Sequence, residues 1–187
     1  QVDAGELKLL IDAVDPLNGA ALILNGGRFT SDLGTDMSGS SVSVTANSSI
    51  NTLSLAPVAF GALTFDADGA LSVNGGATQT SFVSTTVKAG VVAGVIADVQ
   101  DAYIGPVTLE NDAQLLIGGP GVGAIGTLTL SGANGAIGRN GAGLLTLGGY
   151  VGGGPKTLNI IGGGRTELAL GAAVAVGTKF AISDGST

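Results

Sequence analysis

Short stretches in which apolar residues alternate with small polar residues recur along the whole chain. They occupy positions 42–44, 53–55, 63–65, 107–109, 128–130, 168–170 and 180–182. A period of two places the large side chains on one face of a β-strand and Ser, Thr or Ala on the other. The pattern therefore predicts an all-β protein. Only positions 7–14 have a spacing that also fits a short helical cap, with a leading strand as the alternative.

A second pattern is a short strand that begins with leucine and ends in paired glycines. It recurs at positions 22–27, 71–76, 115–119, 144–149 and 158–163. Self-similarity of this kind is typical of repeating architectures, in which stacked turns bury a continuous core. The segments between strands, about 7 to 14 residues long, exceed what a tight hairpin needs. The sequence therefore predicts a parallel β-helix, or solenoid, with roughly 20 to 25 residues per turn. An antiparallel, jelly-roll-like β-sandwich is the alternative.

The 187 residues are predicted to form a single β-domain. Positions 1–37 are interpreted as a possible N-terminal cap or donated strand, and positions 38–187 as the glycine-rich repeat region. Five phenylalanines, two tyrosines and no tryptophan predict an aliphatic interior. Narrow stacked layers suit such a composition better than a sandwich core does.

One repeat carries a resemblance to a known family. Positions 126–134 read Gly-Thr-Leu-Thr-Leu-Ser-Gly-Ala-Asn, and a glycine-rich turn and a leucine strand follow at 141–149. This stretch resembles the autotransporter-associated β-strand repeat, with looser echoes at 61–76 and 155–171. The resemblance implies a right-handed parallel β-helix in the passenger region of a bacterial surface protein, and hence an extracellular or cell-surface location.

The charged and reactive residues exclude several classes of function. With no histidine and no cysteine, the chain has no imidazole base, no thiol nucleophile and few ligands for transition metals. The net charge of −7 and the scattered basic residues argue against nucleic-acid binding. Because no run of 18 apolar residues occurs, the sequence predicts no transmembrane helix.

The best metal candidate is the turn that contains Asp66 and Asp68. Two carboxylates at i and i+2 of a turn can share a calcium ion, and an ordinary aspartate turn is the alternative. The motif G-x-G-x-x-G at 121–126 precedes a predicted strand where a dinucleotide fold requires a helix, and the phosphate-loop-like stretch at 152–157 has a proline where that motif requires glycine. We therefore expect no cofactor, with calcium at Asp66 and Asp68 as the one candidate ligand.

Catalysis is not expected. Some β-helices cleave polysaccharides with paired carboxylates, and Asp98 and Asp101 form a close pair in the sequence. Only Tyr103 is near enough to serve as an aromatic platform for a sugar, so we predict that the chain is not an enzyme. A carbohydrate-active depolymerase remains the alternative.

The segment around Val91, Val92, Val95 and Ile96 is apolar and free of charge. This pattern fits a buried strand pair, one short helical turn, or an exposed face for a neighbouring subunit. With the low charge content, it leads us to expect an extracellular structural or adhesive protein that forms homo-oligomers or filaments, in a surface fibre, sheath or matrix. A surface glycan is a further candidate partner. Under the sandwich alternative, subunits would join by donation of the strand at 1–15.

Overall fold

The computed structural model describes residues 1–9, 16–32, 34, 36–53, 56–75, 79–97, 102–152, 155–169, 174 and 177–182. Over these residues the chain forms twenty β-strands and no helix. The described part of the chain thus contains no helical segment of the length and apolarity that crossing a bilayer requires.

In chain order the strands are β1 (Val2–Asp3), β2 (Glu6–Leu9), β3 (Leu22–Asn25), β4 (Arg28–Ser31), β5 (Asp36–Met37), β6 (Val42–Val44), β7 (Ser48–Thr52), β8 (Val58–Phe65), β9 (Gly69–Gly75), β10 (Thr80–Val87), β11 (Val92–Ala97), β12 (Ala102–Tyr103), β13 (Val107–Leu109), β14 (Ala113–Gly118), β15 (Ala124–Leu130), β16 (Asn134–Asn140), β17 (Leu144–Val151), β18 (Thr157–Gly162), β19 (Arg165–Leu168) and β20 (Lys179–Ile182).

The strands build two sheets that the chain visits in turn. Sheet A follows the order β1-β3-β6-β8-β10-β13-β15-β17-β19, with β5 paired to β8 and β12 paired to β10. Sheet B follows the order β2-β4-β7-β9-β11-β14-β16-β18-β20. Each turn of the chain therefore adds one rung to sheet A and one to sheet B.

All pairings between these strands are parallel, and the offset between partners stays within a narrow range. Val42 pairs with Leu22, twenty residues earlier, and Val95 pairs with Leu71, twenty-four residues earlier. The offsets of the other pairs lie between these two values. The predicted parallel β-solenoid is confirmed, and the antiparallel sandwich is wrong, because each strand pairs with the corresponding strand of the next turn.

The register stacks buried side chains into columns that run along the solenoid. In sheet A one column consists of Val2, Leu24, Val44, Phe65, Val87, Leu109 and Leu130. Every member of this column is at most 8% exposed. Full burial of a side chain of this kind stabilises the fold by about 1.5–3 kcal/mol, so the columns are the main source of stability.

The interior differs from the aliphatic core that the composition predicts. Phe29, Phe60 and Phe82 are fully buried, and Phe60 contacts both of the others in the turns that contain β4, β8 and β10. The ring of Phe60 is stacked on Phe82 at 5.4 Å between centroids and meets Phe29 edge-on at 5.7 Å. Three of the seven aromatic residues are thus gathered at one place inside the solenoid, and a second pair, Tyr150 and Phe180, lies 5.9 Å apart near its C-terminal end.

Sheet A is interrupted at a step that recurs at the same place in successive turns. In β8 and β10, Phe60 pairs with Phe82 and Ala62 pairs with Ser84. Gly61 and Val83, which lie between these partners, are not paired. One turn later the step falls at Gly105, between β12 and β13. Gly105 has φ +65°, and an ideal Cβ there would lie 2.5 Å from the carbonyl oxygen of Val83. Only a residue without a side chain fits this position.

The N-terminal region contributes to the same two sheets. β1 pairs in parallel with β3, and β2 pairs in parallel with β4. The strands within positions 1–37, which the sequence suggested as a cap or a donated strand, therefore continue the ladders of the repeat region.

Candidate functional site

The predicted self-association residues divide between the two faces of β11. Val95 is fully buried, and Val91, directly before the strand, is only 7% exposed. Val92 is 41% exposed, and Ile96 is half-buried on the same outward side. The alternation of a β-strand thus leaves two of the four residues available to a partner.

Val92 and Ile96 border an open groove of about 280 Å³ on the outer face of sheet B. We call this region the outer groove. It is lined by Asn47, Gly69, Ala70, Val92, Ala93, Gly94, Ile96, Leu116, Gly118 and Asn140. None of these described lining residues carries a charge, so the groove is apolar at its centre and has amide groups at its margin.

Large and small residues alternate across the outer groove in two directions. Along one column of sheet B, Ala70, Gly94, Leu116, Gly138 and Ile161 are successive partners. In the next column, Ser72, Ile96, Gly118 and Asn140 follow one another. Gly94 therefore lies beside Ile96 in the same strand, and Leu116 lies beside Gly118. Over the two strands β11 and β14 the result is a checkerboard, in which Ile96 and Leu116 project and Gly94 and Gly118 do not.

The outer groove is fixed by hydrogen bonds at its margin. Asn47 Oδ1 accepts a 2.8 Å hydrogen bond from the backbone N–H of Ala70, one turn later. The backbone N–H of Val92 donates a 2.7 Å hydrogen bond to Asp68 Oδ1. These side chains connect successive turns next to the groove, so its shape is set by the fold.

The candidate calcium ligands Asp66 and Asp68 engage in separate contacts between turns. Asp66 Oδ2 accepts a hydrogen bond from Ser43 Oγ at 2.5 Å, and Asp68 Oδ1 accepts the bond from Val92. Within the described residues no group of three potential metal-ligating side chains occurs. Calcium binding here stays a prediction, and the observed role of both carboxylates is to join neighbouring turns.

The outer face of sheet A has a different character. Successive partners Ser43, Thr64, Thr86, Thr108 and Thr129 form a single row of hydroxyl groups. Neighbouring rungs of a sheet lie about 4.8 Å apart, so the row is regularly spaced. We call it the hydroxyl row. The sequence shows its members as isolated Ser and Thr, and only the register brings them into line.

An ion pair lies beside the hydroxyl row. Lys88 Nζ and Glu110 Oε1 are 2.9 Å apart in adjacent turns. Their hydrogen bond lowers the pKa of Glu110 and raises the pKa of Lys88. Both side chains are partly exposed to solvent, so the pair is expected to add little stability.

The carboxylates that would serve a polysaccharide-cleaving enzyme, Asp98 and Asp101, lie outside the described residues. Tyr103, the aromatic side chain suggested as a sugar platform, is 43% exposed at the end of β12.

Comparisons with protein-family models, with curated proteins and with solved structures find no match to this chain. The resemblance to the autotransporter-associated repeat therefore stays a prediction from the motif.

Proposed function

We propose that this chain is an extracellular structural or adhesive module that self-associates side by side through the outer groove of sheet B. The observation that supports the proposal most directly is the checkerboard at the centre of the groove. There the large residues Ile96 and Leu116 alternate with Gly94 and Gly118. The extracellular location is supported by the resemblance of positions 126–149 to bacterial surface repeats.

The checkerboard is a self-complementary shape. In the two-fold arrangement that we propose, Ile96 and Leu116 of one copy lie against the partly exposed Gly94 and its surroundings in the other, as an isologous interface requires. Interdigitation of this kind between β-sheet faces excludes water and gains dispersion contacts. The partner in this proposal is thus a second copy of the chain.

The charge distribution agrees with lateral contact through this surface. Each copy carries a net charge of −7, so two copies repel one another at long range. The described residues that line the outer groove are uncharged, so the contact itself places no charged side chain against another. Because salt screens the long-range repulsion but not the apolar contact, association should strengthen as ionic strength rises.

Sedimentation velocity over a range of protein and salt concentrations tests the proposal. We expect the wild-type chain to form dimers or larger assemblies, increasingly so in high salt. Ile96→Ser and Leu116→Ser, each of which removes a projecting side chain, should shift the chain toward the monomer. Val83→Ser is the matched control, because Val83 is 60% exposed in sheet A, away from the groove.

A wild-type chain that stays monomeric at high concentration and high salt would contradict the proposal. So would assemblies that Ile96→Ser and Val83→Ser weaken equally, since that result places the contact elsewhere.

The adhesive part of the proposal concerns the hydroxyl row. A flat line of hydroxyl groups can donate and accept hydrogen bonds, so it suits an extended glycan with its own regularly spaced hydroxyls. We propose a surface glycan as the partner of this face, with the outer groove left for self-association.

A further inference from the structure

Arg139 lies in the interior of the solenoid, where its neighbours in the column are apolar. It pairs with Ile117 on the preceding rung and with Gly162 on the following rung. Its side chain faces inward from β16 and is only 5% exposed. An interior arginine is unusual, because a charge buried without compensation is expensive.

The guanidinium group is held by backbone carbonyls. Nη1 donates to the carbonyl oxygen of Val122 at 2.5 Å, and Nη2 donates to that of Gly119. Both acceptors belong to the segment between β14 and β15, one turn earlier. Nε finds no acceptor among the described residues, and the ion pairs seen there do not include Arg139.

The surrounding backbone is shaped to fit this side chain. Gly143 has φ +131°, and an ideal Cβ there would lie 2.5 Å from Nε of Arg139. A Cβ at Gly164 would lie 2.6 Å from Cβ of Arg139. Both glycines approach Arg139 so closely that a side chain at either position would collide with it.

We propose that Arg139 fixes the register in which β14, β16 and β18 stack, at a cost in stability. The neighbouring interior column contains Leu115, Ile137 and Ile160, which are interchangeable apolar residues. A slip by two residues would therefore keep apolar side chains inside. It would also separate Arg139 from the carbonyl groups of Gly119 and Val122 and leave a buried charge unpaired.

Single buried polar residues fix register in this way in coiled coils, where they lower stability and exclude other alignments. The same reasoning applies to a solenoid, because its rungs repeat and its columns are apolar. The proposal concerns the interior and is independent of the self-association proposed above.

Hydrogen exchange followed by mass spectrometry tests the proposal with Arg139→Met, which keeps the length of the side chain and removes its charge. We expect Arg139→Met to fold and to melt at the same or a higher temperature than the wild type. Peptides that cover β14 and β16 should show two populations in the variant, one exchanging about ten-fold faster or more, and a single population in the wild type. Ile117→Met is the matched control in the same column and should keep a single population.

A single exchange population in Arg139→Met would overturn the proposal. Failure of both Arg139→Met and Arg139→Leu to fold would overturn it as well, because Arg139 would then stabilise the fold instead of selecting among alignments.

Discussion

Adjacent residues in this chain can face opposite surroundings, as Phe82 and Val83 show. Phe82 is 1% exposed and is stacked on Phe60, whereas Val83 is 60% exposed at the step in sheet A. The alternation of a strand and the step together produce this contrast within two residues of sequence.

The contrast predicts a large difference between two alanine substitutions. Phe82→Ala should lower the free energy of unfolding by about 3–5 kcal/mol, because it removes buried surface and leaves a cavity. Val83→Ala should change it by less than about 0.5 kcal/mol. Urea denaturation of both variants measures the difference, and losses of similar size would show that Phe82 is not part of a packed core.

At the residue scale the sequence was least informative where consecutive positions are both apolar. Val91, Val92, Val95 and Ile96 offer two equally apolar faces, so the pattern leaves open which face is buried. The register shows that the face with Val95 is the buried one, because Val95 pairs with the buried Leu71. Arg139 was seen only as one of seven scattered basic residues. Its spacing of one turn from Ile117 is the signal that could have placed it inside.

At the element scale the alternating pattern located several strands, whereas Leu53, the first of the alternating positions 53–55, lies outside a strand and is 56% exposed. β6, β13 and β20 lie at the alternating positions 42–44, 107–109 and 180–182. The division of sheet A at the step was not predicted, because Gly61 and Gly105 read as ordinary turn glycines in a chain with 34 glycines. Their common position becomes visible only when the turns are aligned.

Two glycines with positive φ allow a test of the step. At Gly105 a side chain meets both an unfavourable φ of +65° and the carbonyl oxygen of Val83. At Gly90 φ is +73°, but nothing lies within 4 Å of an ideal Cβ. Gly90→Ala should therefore cost about 1–2 kcal/mol for the backbone alone, and Gly105→Ala clearly more.

Chemical denaturation of both variants gives the comparison. If Gly90→Ala and Gly105→Ala lowered the free energy of unfolding equally, the added Cβ at Gly105 would be accommodated beside the carbonyl oxygen of Val83 without further cost.

At the scale of the whole molecule, stability is distributed over rungs that contact only their neighbours. The narrow range of offsets predicts that a complete turn can be removed without changing the register of the rest. The repeat in the sequence predicted this organisation, with its period of roughly 20 to 25 residues. It did not reveal the outer groove, which depends on how four consecutive rungs align.

Removal of positions 45–65 tests this independence of rungs. Because Val44 and Phe65 are partners, the deletion joins Val44 to Asp66 and preserves the interior columns. We expect a folded chain with the circular dichroism spectrum of a β-sheet, a smaller hydrodynamic radius and a lower free energy of unfolding than the wild type. The control deletion of positions 45–55 removes only β7, which is half of a turn. The chain then lacks one strand of sheet B, so the strands that follow no longer align with the preceding turn, and this variant should not fold. If both deletions gave the same result, the rungs would not be separable units.

The parallel pairing also decides how the molecule responds to tension. The hydrogen bonds between rungs point along the long axis, so a pull on the two ends acts on one pair of rungs at a time, beginning at a terminus. Each detached turn of 20 to 24 residues lengthens the chain by roughly 70 to 85 Å before the next turn yields. Under strain the protein thus extends in nearly equal increments and dissipates energy at each one, while the remaining turns stay folded.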